Sequence, residues 1–169
     1  MKWPVSSYHI GVSAEAFVAA QFARYGFDVS VQYGANQPEY DLLVHKGDKI
    51  LKVSVKGSQD GGWGLIQGYK KGRTYHEAIE EWLKAHGKKT VFCLVQYKGV
   101  DDAELPHMYL ATPKEMAKYM KDSRAGEGDT VLREHHIWKG GIAEGSEDII
   151  PQEWVFTKDR AHQIFEDNA

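Results

Sequence analysis

The sequence predicts an α/β fold in which helices flank a mixed β-sheet. Three patterns support this prediction. A stretch with helical apolar spacing opens the chain, a strand–turn–strand pattern follows it, and a nearly continuous apolar run near the middle of the chain indicates a buried central strand. The predicted order is helix, three strands, helix, two strands and helix, with a further strand and extension at the C-terminus.

The N-terminal helix and the first strand are predicted from their periodicity. Residues 6–25 place apolar side chains at helical spacing, and Gly26 is a natural residue for ending a helix. Residues 27–33 alternate apolar and polar side chains, which is typical of a strand. A loop then leads to residues 38–58, the segment on which the functional prediction depends.

Residues 38–58 are predicted to form a β-hairpin. Residues 40–45 are a short apolar run, and residues 49–57 alternate between apolar and polar side chains. Between these two runs, Lys46-Gly47-Asp48 supplies the residues of a turn. Two strands that are so close in the chain are expected to pair antiparallel.

The second strand of this hairpin is predicted to have two different faces. One face carries apolar residues that point to the core, namely Leu51, Val53 and Val55. The other carries an outward polar row, namely Lys52, Ser54 and Lys56. Asp41 opens the first strand, so pairing is expected to bring its carboxylate near Ser54 and Lys56. A carboxylate beside a lysine on paired strands can hold a divalent cation and stabilise phosphate charge.

The remainder of the chain is predicted to complete the sheet and to cover it. In order, the pattern predicts an extended glycine-rich segment at 58–71, a helix at 74–86, strands at 90–97 and 107–111, a helix from a Thr112-Pro113 cap to residue 122, an edge strand at 132–138, a loop at 139–148 and a helical segment from residue 151.

Length and composition are those of an ordinary globular protein. A chain of 169 residues is expected to form one domain, with a core over about residues 6–122 and a C-terminal strand and extension over 123–169. The single cysteine, Cys93, excludes an intramolecular disulfide and lies in an apolar run, which predicts a buried thiol. No apolar run is long enough to span a bilayer and no signal-peptide pattern opens the chain. We therefore expect a cytoplasmic protein that does not bind membranes.

The distribution of charge is more informative than the net charge of -3. From His45 to Arg73 the chain has seven lysines and arginines and only two aspartates. Such a basic segment is typical of a phosphate-binding surface, and also of a solvated face. We predict nucleic-acid contacts from Lys52, Ser58, Gln67, Lys70, Lys71 and Arg73. Trp63 and Tyr69 in the same segment are either core residues or platforms for stacked bases.

The hairpin and the preceding helix resemble a known family. The residues that carry the resemblance are Pro38-Glu39-Tyr40-Asp41 at the head of one strand, Val53-Ser54-Val55-Lys56-Gly57 on the next, and the helix acid Glu15. This pattern is similar to that of the PD-(D/E)XK nuclease superfamily, and particularly to archaeal Holliday-junction resolvases. The resemblance covers the layout of about residues 6–95 and implies a restriction endonuclease-like fold.

The resemblance implies a Mg²⁺- or Mn²⁺-dependent nuclease that hydrolyses phosphodiester bonds in duplex or branched DNA. Asp41 would be the central metal-binding carboxylate, Glu15 would complete the metal shell, and Val55 would offer its backbone carbonyl. Lys56 would orient the attacking water and stabilise negative charge in the transition state. Resolvase-like enzymes cut two strands with paired subunits, so the resemblance also implies a homodimer.

Ser54 departs from the family pattern, in which the position two residues before the lysine is Glu, Asp or Gln. A hydroxyl is a neutral, weak ligand for a cation. Three outcomes are open: Ser54 binds through water while Glu15 and Asp41 carry the metal, a carboxylate such as Glu39 or Asp60 has moved into the site, or the site is weak or inactive.

Two alternative functions follow. The first comes from the departure at Ser54, and the second from the interpretation of the basic segment as a solvated face. One is a nuclease-fold protein that binds nucleic acid without cleaving it. The other is a small α/β interaction module, which predicts no metal affinity and only salt-screened DNA binding. The sequence lacks the phosphate-binding loop of ATPases and the nucleophile elbow of serine hydrolases. Zinc is not expected, because no cysteine partners accompany the histidines at 107, 135, 136 and 162.

Overall fold

The computed structural model describes residues 3–32, 39–86 and 90–169. Its helices are α1 (Ser7–Arg24), α2 (Tyr75–Ala85), α3 (Pro113–Asp122) and α4 (Lys158–Asn168). Its strands are β1 (Asp28–Val31), β2 (Leu42–Lys46), β3 (Lys49–Ser58), β4 (Gly62–Gly64), β5 (Thr90–Gln96), β6 (His107–Ala111), β7 (Val131–Arg133), β8 (His135–Ile137) and β9 (Glu147–Ile149). Within the described ranges, no helix is long and apolar enough to cross a membrane.

The main sheet has five strands in the order β1-β2-β3-β5-β6. Strands β3 and β5 are parallel, while the other neighbouring pairs are antiparallel. The parallel pair needs a long crossover, and the segment from β4 to α2 supplies it. The predicted α/β fold, with helices flanking a mixed sheet, is confirmed.

Apolar clusters cover both faces of this sheet. On one face, α1 and α4 pack against alternate residues of β3 and β5, through Ala14, Val18, Phe22, Ile164 and Phe165. On the other, α2 and α3 pack against the remaining residues of β5, through Ile79, Trp82, Met116 and Met120. Every residue of β5 is buried, which explains its continuous apolar run. Cys93 is fully buried as predicted, and burial raises the pKa of its thiol.

The C-terminal part of the chain belongs to the same packed core. Leu132, Ile150 and Trp154 lie in the cluster with α2 and α3, and Phe156 lies in the cluster with α1. The guanidinium of Arg160, which is 7% exposed, donates to the carbonyl of Leu110 and forms an ion pair with Glu115 at 2.8 Å. The buried core therefore extends well beyond residues 6–122.

Two predictions for the second half of the chain were wrong. Residues 132–138 form no edge strand of the main sheet, because the chain changes partner at Glu134. The Glu134 N–H donates to Gly61 and its carbonyl accepts from Ile150, so β7 pairs with β4 and β8 pairs with β9. Residues 139–148 are correspondingly not all loop, since β9 begins at Glu147.

Gly57 allows α1 to lie unusually close to β3. A Cβ atom at this position would be 2.9 Å from Ile10 Cγ2 and 3.0 Å from Ala14 Cβ, both on α1. The backbone carbonyl of Ile10 would be 3.1 Å away. No side chain larger than hydrogen fits without moving the helix, so Gly57 sets the separation of α1 from the sheet.

We expect Gly57→Ala to destabilise the protein by about 1–3 kcal/mol, because the added methyl group overpacks the contact between α1 and β3. Chemical denaturation would measure this change. The matched control is Gly11→Ala. Gly11 lies on α1 itself, and a Cβ atom at this position would meet nothing within 4 Å. That substitution should stabilise the helix by about 0.5–1 kcal/mol. Equal effects of the two substitutions would contradict the assigned contact.

Candidate active site

Asp41 lies just before β2, where the backbone pairing of β2 with β3 ends. Its N–H donates to the carbonyl of Val53 at 2.9 Å. Its carboxylate oxygen Oδ2 accepts the N–H of Val55 at 2.6 Å. The Asp41 side chain thus accepts the N–H that a backbone carbonyl of β2 would accept if the pairing continued. This bond fixes the carboxylate beside Val55, the residue before Lys56.

The backbone carbonyl of Val55 lies on the same side of β3 as Asp41. In a strand, the N–H and C=O of one residue are directed to the same neighbour, and the Val55 N–H is directed to Asp41. An oxygen donor from the main chain therefore accompanies the carboxylate at the point where β2 ends.

Glu15 reaches this place from α1. The close contact of α1 with β3 at Gly57 holds the helix against the strand, one residue from Lys56. The pKa of the half-buried Glu15 carboxyl is raised, first by burial and then by the negative charge of Asp41, while the positive charge of Lys56 acts in the opposite direction. Glu15 therefore lies within electrostatic range of both Asp41 and Lys56.

This donor set fits a Mg²⁺ or Mn²⁺ ion. Two carboxylates and a backbone carbonyl are oxygen ligands, and Mg²⁺ commonly uses one or two carboxylates while keeping several waters. Burial is the main cause of the raised pKa of Glu15, the negative charge of Asp41 adds to it, and a cation between the two carboxylates would offset that repulsion. In the described ranges, however, no three His, Cys, Asp or Glu side chains form a metal-binding group.

Ser54 and Lys56 open into a cleft of about 350 Å³ on the face of the sheet that carries α2. The cleft is also lined by Glu39, Gly64, Leu65, Tyr69, Trp82, His86 and Phe92. Ser54 is 3% exposed, so the predicted outward polar row is only partly correct. Lys52 and Lys56 are exposed, whereas Ser54 is buried at the base of the cleft that Gly64 and Leu65 also line.

The two acids considered as replacements for the missing carboxylate lie in different places. Glu39 is exposed and shares the cleft with Ser54 and Lys56, and no described residue forms a hydrogen bond or ion pair with its carboxylate. Asp60 lies in a tight turn, where it accepts from the hydroxyl of Ser58 at 2.8 Å and from the N–H of Gly62 at 3.3 Å. These bonds lower the pKa of Asp60. The neighbouring Pro38 of the motif lies outside the described residues.

His86 is a cleft residue that sequence reasoning missed. It ends α2, its ring Nδ1 lies 2.6 Å from the carbonyl oxygen of Trp82, and its ring packs against the rings of Trp82 and Phe92. A histidine at the end of a predicted helix carries no motif. Its sequence neighbours do not distinguish it from the other histidines of the chain.

The structure places most of the predicted nucleic-acid-binding residues on the surface. Lys52 lies over the ring of Tyr40, and Gln67, Lys71 and Arg73 are exposed. Lys70 makes contacts within its own loop: its Nζ donates to the carbonyl of Arg73 and lies 4.7 Å from the ring centre of Tyr75. Ser58 is buried and donates to Asp60, so a phosphate contact would require that bond to break.

Trp63 is a core residue, and the alternative of base stacking is wrong for it. The side chain is 3% exposed, and its indole N–H donates to the carbonyl of Lys56 at 3.0 Å and to that of Val95 at 3.3 Å. Trp63 thereby fastens β4 over β3 and β5. Tyr69 is half-buried and lines the cleft, so its ring remains accessible from that side.

No protein-family model and no curated protein sequence matches this chain. Several solved structures are similar to it, among them the following two. Hjc, a Holliday junction resolvase from the archaeal hyperthermophile Archaeoglobus fulgidus, is 13% identical over 63% of this chain and 79% of its own, with a TM-score of 0.38. The bacterial homing endonuclease I-Ssp6803I is 15% identical over 98% of this chain and 95% of its own, with a TM-score of 0.49.

Proposed function

We propose that this protein is a metal-dependent nuclease that hydrolyses phosphodiester bonds in DNA. The observation that carries the proposal is that Glu15, Asp41 and Lys56 come from three separate elements to the same stretch of β3, where the charges of Asp41 and Lys56 both act on Glu15. Two carboxylates supply cation ligands, and a lysine beside them supplies a fixed positive charge for a phosphate. This combination serves phosphodiester hydrolysis, in which negative charge develops on the phosphate oxygens.

The side chains have separate roles in this proposal. Asp41, Glu15 and the Val55 carbonyl would hold a Mg²⁺ or Mn²⁺ ion, which when bound lowers the pKa of water and offsets phosphate charge. Asp41 is positioned by its bond to the Val55 N–H, so its other oxygen is available as a ligand. Lys56 presents its ammonium group at the cleft, where it holds a phosphate oxygen and orients the attacking water.

The position of Glu39 supports an active site in spite of Ser54. It is the one carboxylate among the described residues that line the cleft with Ser54 and Lys56. Lys52, Lys70, Lys71 and Arg73 are proposed to contact the DNA backbone outside the cleft. Contacts of this kind position a duplex or a branched substrate without reading its sequence.

A second candidate function is DNA binding without cleavage. It is favoured by Ser54, which adds no charge to the site, and by the absence of a third carboxylate around Asp41 and Glu15 in the part of the chain that the structure describes. The two candidates share the same surface and differ in whether a cation is bound and used.

We expect cleavage of labelled linear or branched DNA with Mg²⁺ or Mn²⁺, and none with EDTA. Asp41→Asn and Lys56→Ala should each lower the rate by about 10²–10³-fold, the usual cost of losing one group that stabilises transition-state charge. The matched controls are Asp102→Asn and Lys114→Ala, which change exposed side chains far along the chain. Binding without cleavage would establish the second candidate, and the absence of both would contradict a nucleic-acid function.

We expect Glu15→Gln to raise the melting temperature of the metal-free protein at pH 8 by roughly 1–2 °C. The pKa of Glu15 is raised in the folded state, so its ionisation costs stability as the pH rises through that pKa, and glutamine avoids this cost. The same substitution should reduce the stabilisation that Mg²⁺ gives to the wild type. Differential scanning fluorimetry with and without Mg²⁺ at pH 5 and pH 8 measures both effects. An unchanged response to Mg²⁺ would exclude Glu15 as a ligand.

We expect Ser54→Glu to tighten Mn²⁺ binding by about 10-fold, because it adds a charged oxygen ligand next to Val55, whose N–H holds the Asp41 carboxylate. Electron paramagnetic resonance of free Mn²⁺ measures the affinity. Ser54→Gln is the matched control, since it has nearly the same size without the charge. Equal affinities for the two variants would show that residue 54 does not face the cation.

A further inference from the structure

His86 is held in one orientation by contacts that also fix its protonation pattern. A carbonyl oxygen can only accept, so the bond to Trp82 requires a proton on Nδ1. The ring lies 4.4 Å from the ring centre of Trp82 and 5.3 Å from that of Phe92. No described residue forms a hydrogen bond with the other nitrogen, Nε2. Nε2 is therefore the atom through which His86 can exchange a proton.

The sheet register places this ring close to the candidate active site. Phe92 on β5 is paired with Ser54 on β3, and neighbouring strands are about 4.8 Å apart. Lys56 follows two residues later on the same face of β3, about 6.6 Å along the strand. His86, Lys56 and Glu39 all line the same cleft. The imidazole thus belongs to the wall formed by α2 and β5, while Asp41 and Glu15 approach β3 from the opposite side.

We propose that His86 donates a proton from Nε2 to the leaving oxygen of the phosphodiester; this inference rests on the proposed nuclease function. In hydrolysis, a water oxygen forms a bond to phosphorus and the bond from phosphorus to the leaving sugar oxygen breaks. The leaving oxygen takes the Nε2 proton of the imidazolium, and the proton lost by the water passes to solvent. The neutral imidazole keeps its Nδ1 proton, which it donates to the Trp82 carbonyl, and Nε2 regains a proton from solvent. This role would complement Lys56, whose ammonium group holds phosphate charge.

The test compares two DNA substrates at a cleavage position mapped with the wild type. They are identical except that sulfur replaces the leaving oxygen in one, because a thiolate leaves without being protonated. With Mn²⁺, His86→Gln should lower the rate on the oxygen substrate by about 10²–10³-fold, the usual contribution of general acid catalysis. The rate on the sulfur substrate should remain within a few-fold of the wild type.

Glutamine keeps a side-chain N–H for the Trp82 carbonyl, so the end of α2 should be preserved, and the melting temperature checks this. Lys56→Ala is the matched comparison and should slow both substrates alike, since Lys56 does not serve the leaving group. Equal loss on both substrates by His86→Gln, or no loss on either, would overturn the inference while leaving the nuclease proposal intact. If the wild type cleaves neither substrate, the proposed function fails and the inference fails with it.

Discussion

The contact between α1 and β3 at Gly57 is the constraint on which the candidate site depends. Lys56 lies on β3, Asp41 lies just before β2, and Glu15 comes from α1. Because nothing larger than hydrogen fits between Gly57 and the side chains of Ile10 and Ala14, the helix lies close enough for its carboxylate to interact with Asp41. Gly57 therefore sets both the distance of α1 from the sheet and the distance of Glu15 from Asp41 and Lys56.

The side of the cleft that is formed by β4 and the residues after it depends on the hydrogen bonds of Trp63. Strand β4 has only three residues and a single large side chain, Trp63. Its indole N–H lies between the carbonyls of Lys56 and Val95, on the two parallel strands at the centre of the sheet. This bond fixes β4 beside the cleft, which Gly64 and Leu65 line together with the buried Ser54 and the exposed Lys56. The glycine-rich segment is therefore a fixed part of the cleft.

Local patterns in the sequence were sufficient for much of this architecture. The hairpin, the buried strand with Cys93 and the Thr112-Pro113 helix start depend on alternation, apolar runs and capping, which act between residues near in the chain. The change of partner at Glu134 depends on Gly61 and Ile150, which are distant in sequence. The approach of Glu15 to Asp41 was suggested only by a family resemblance. His86 could not be selected from the sequence, because its importance comes from the pairing of Phe92 with Ser54 and not from its own neighbours.

The bond between Asp41 and Val55 spans only 14 residues of chain, whereas Glu15 comes from a separate helix. The two hairpin groups can therefore come together at a small loop-closure cost, and Glu15 joins them only when α1 docks. A cation held by both parts would link the helix to the sheet, and its binding free energy would oppose local undocking of α1. Hydrogen exchange along the whole of α1 would then report metal occupancy, although Glu15 is the only residue of this helix that is proposed as a ligand.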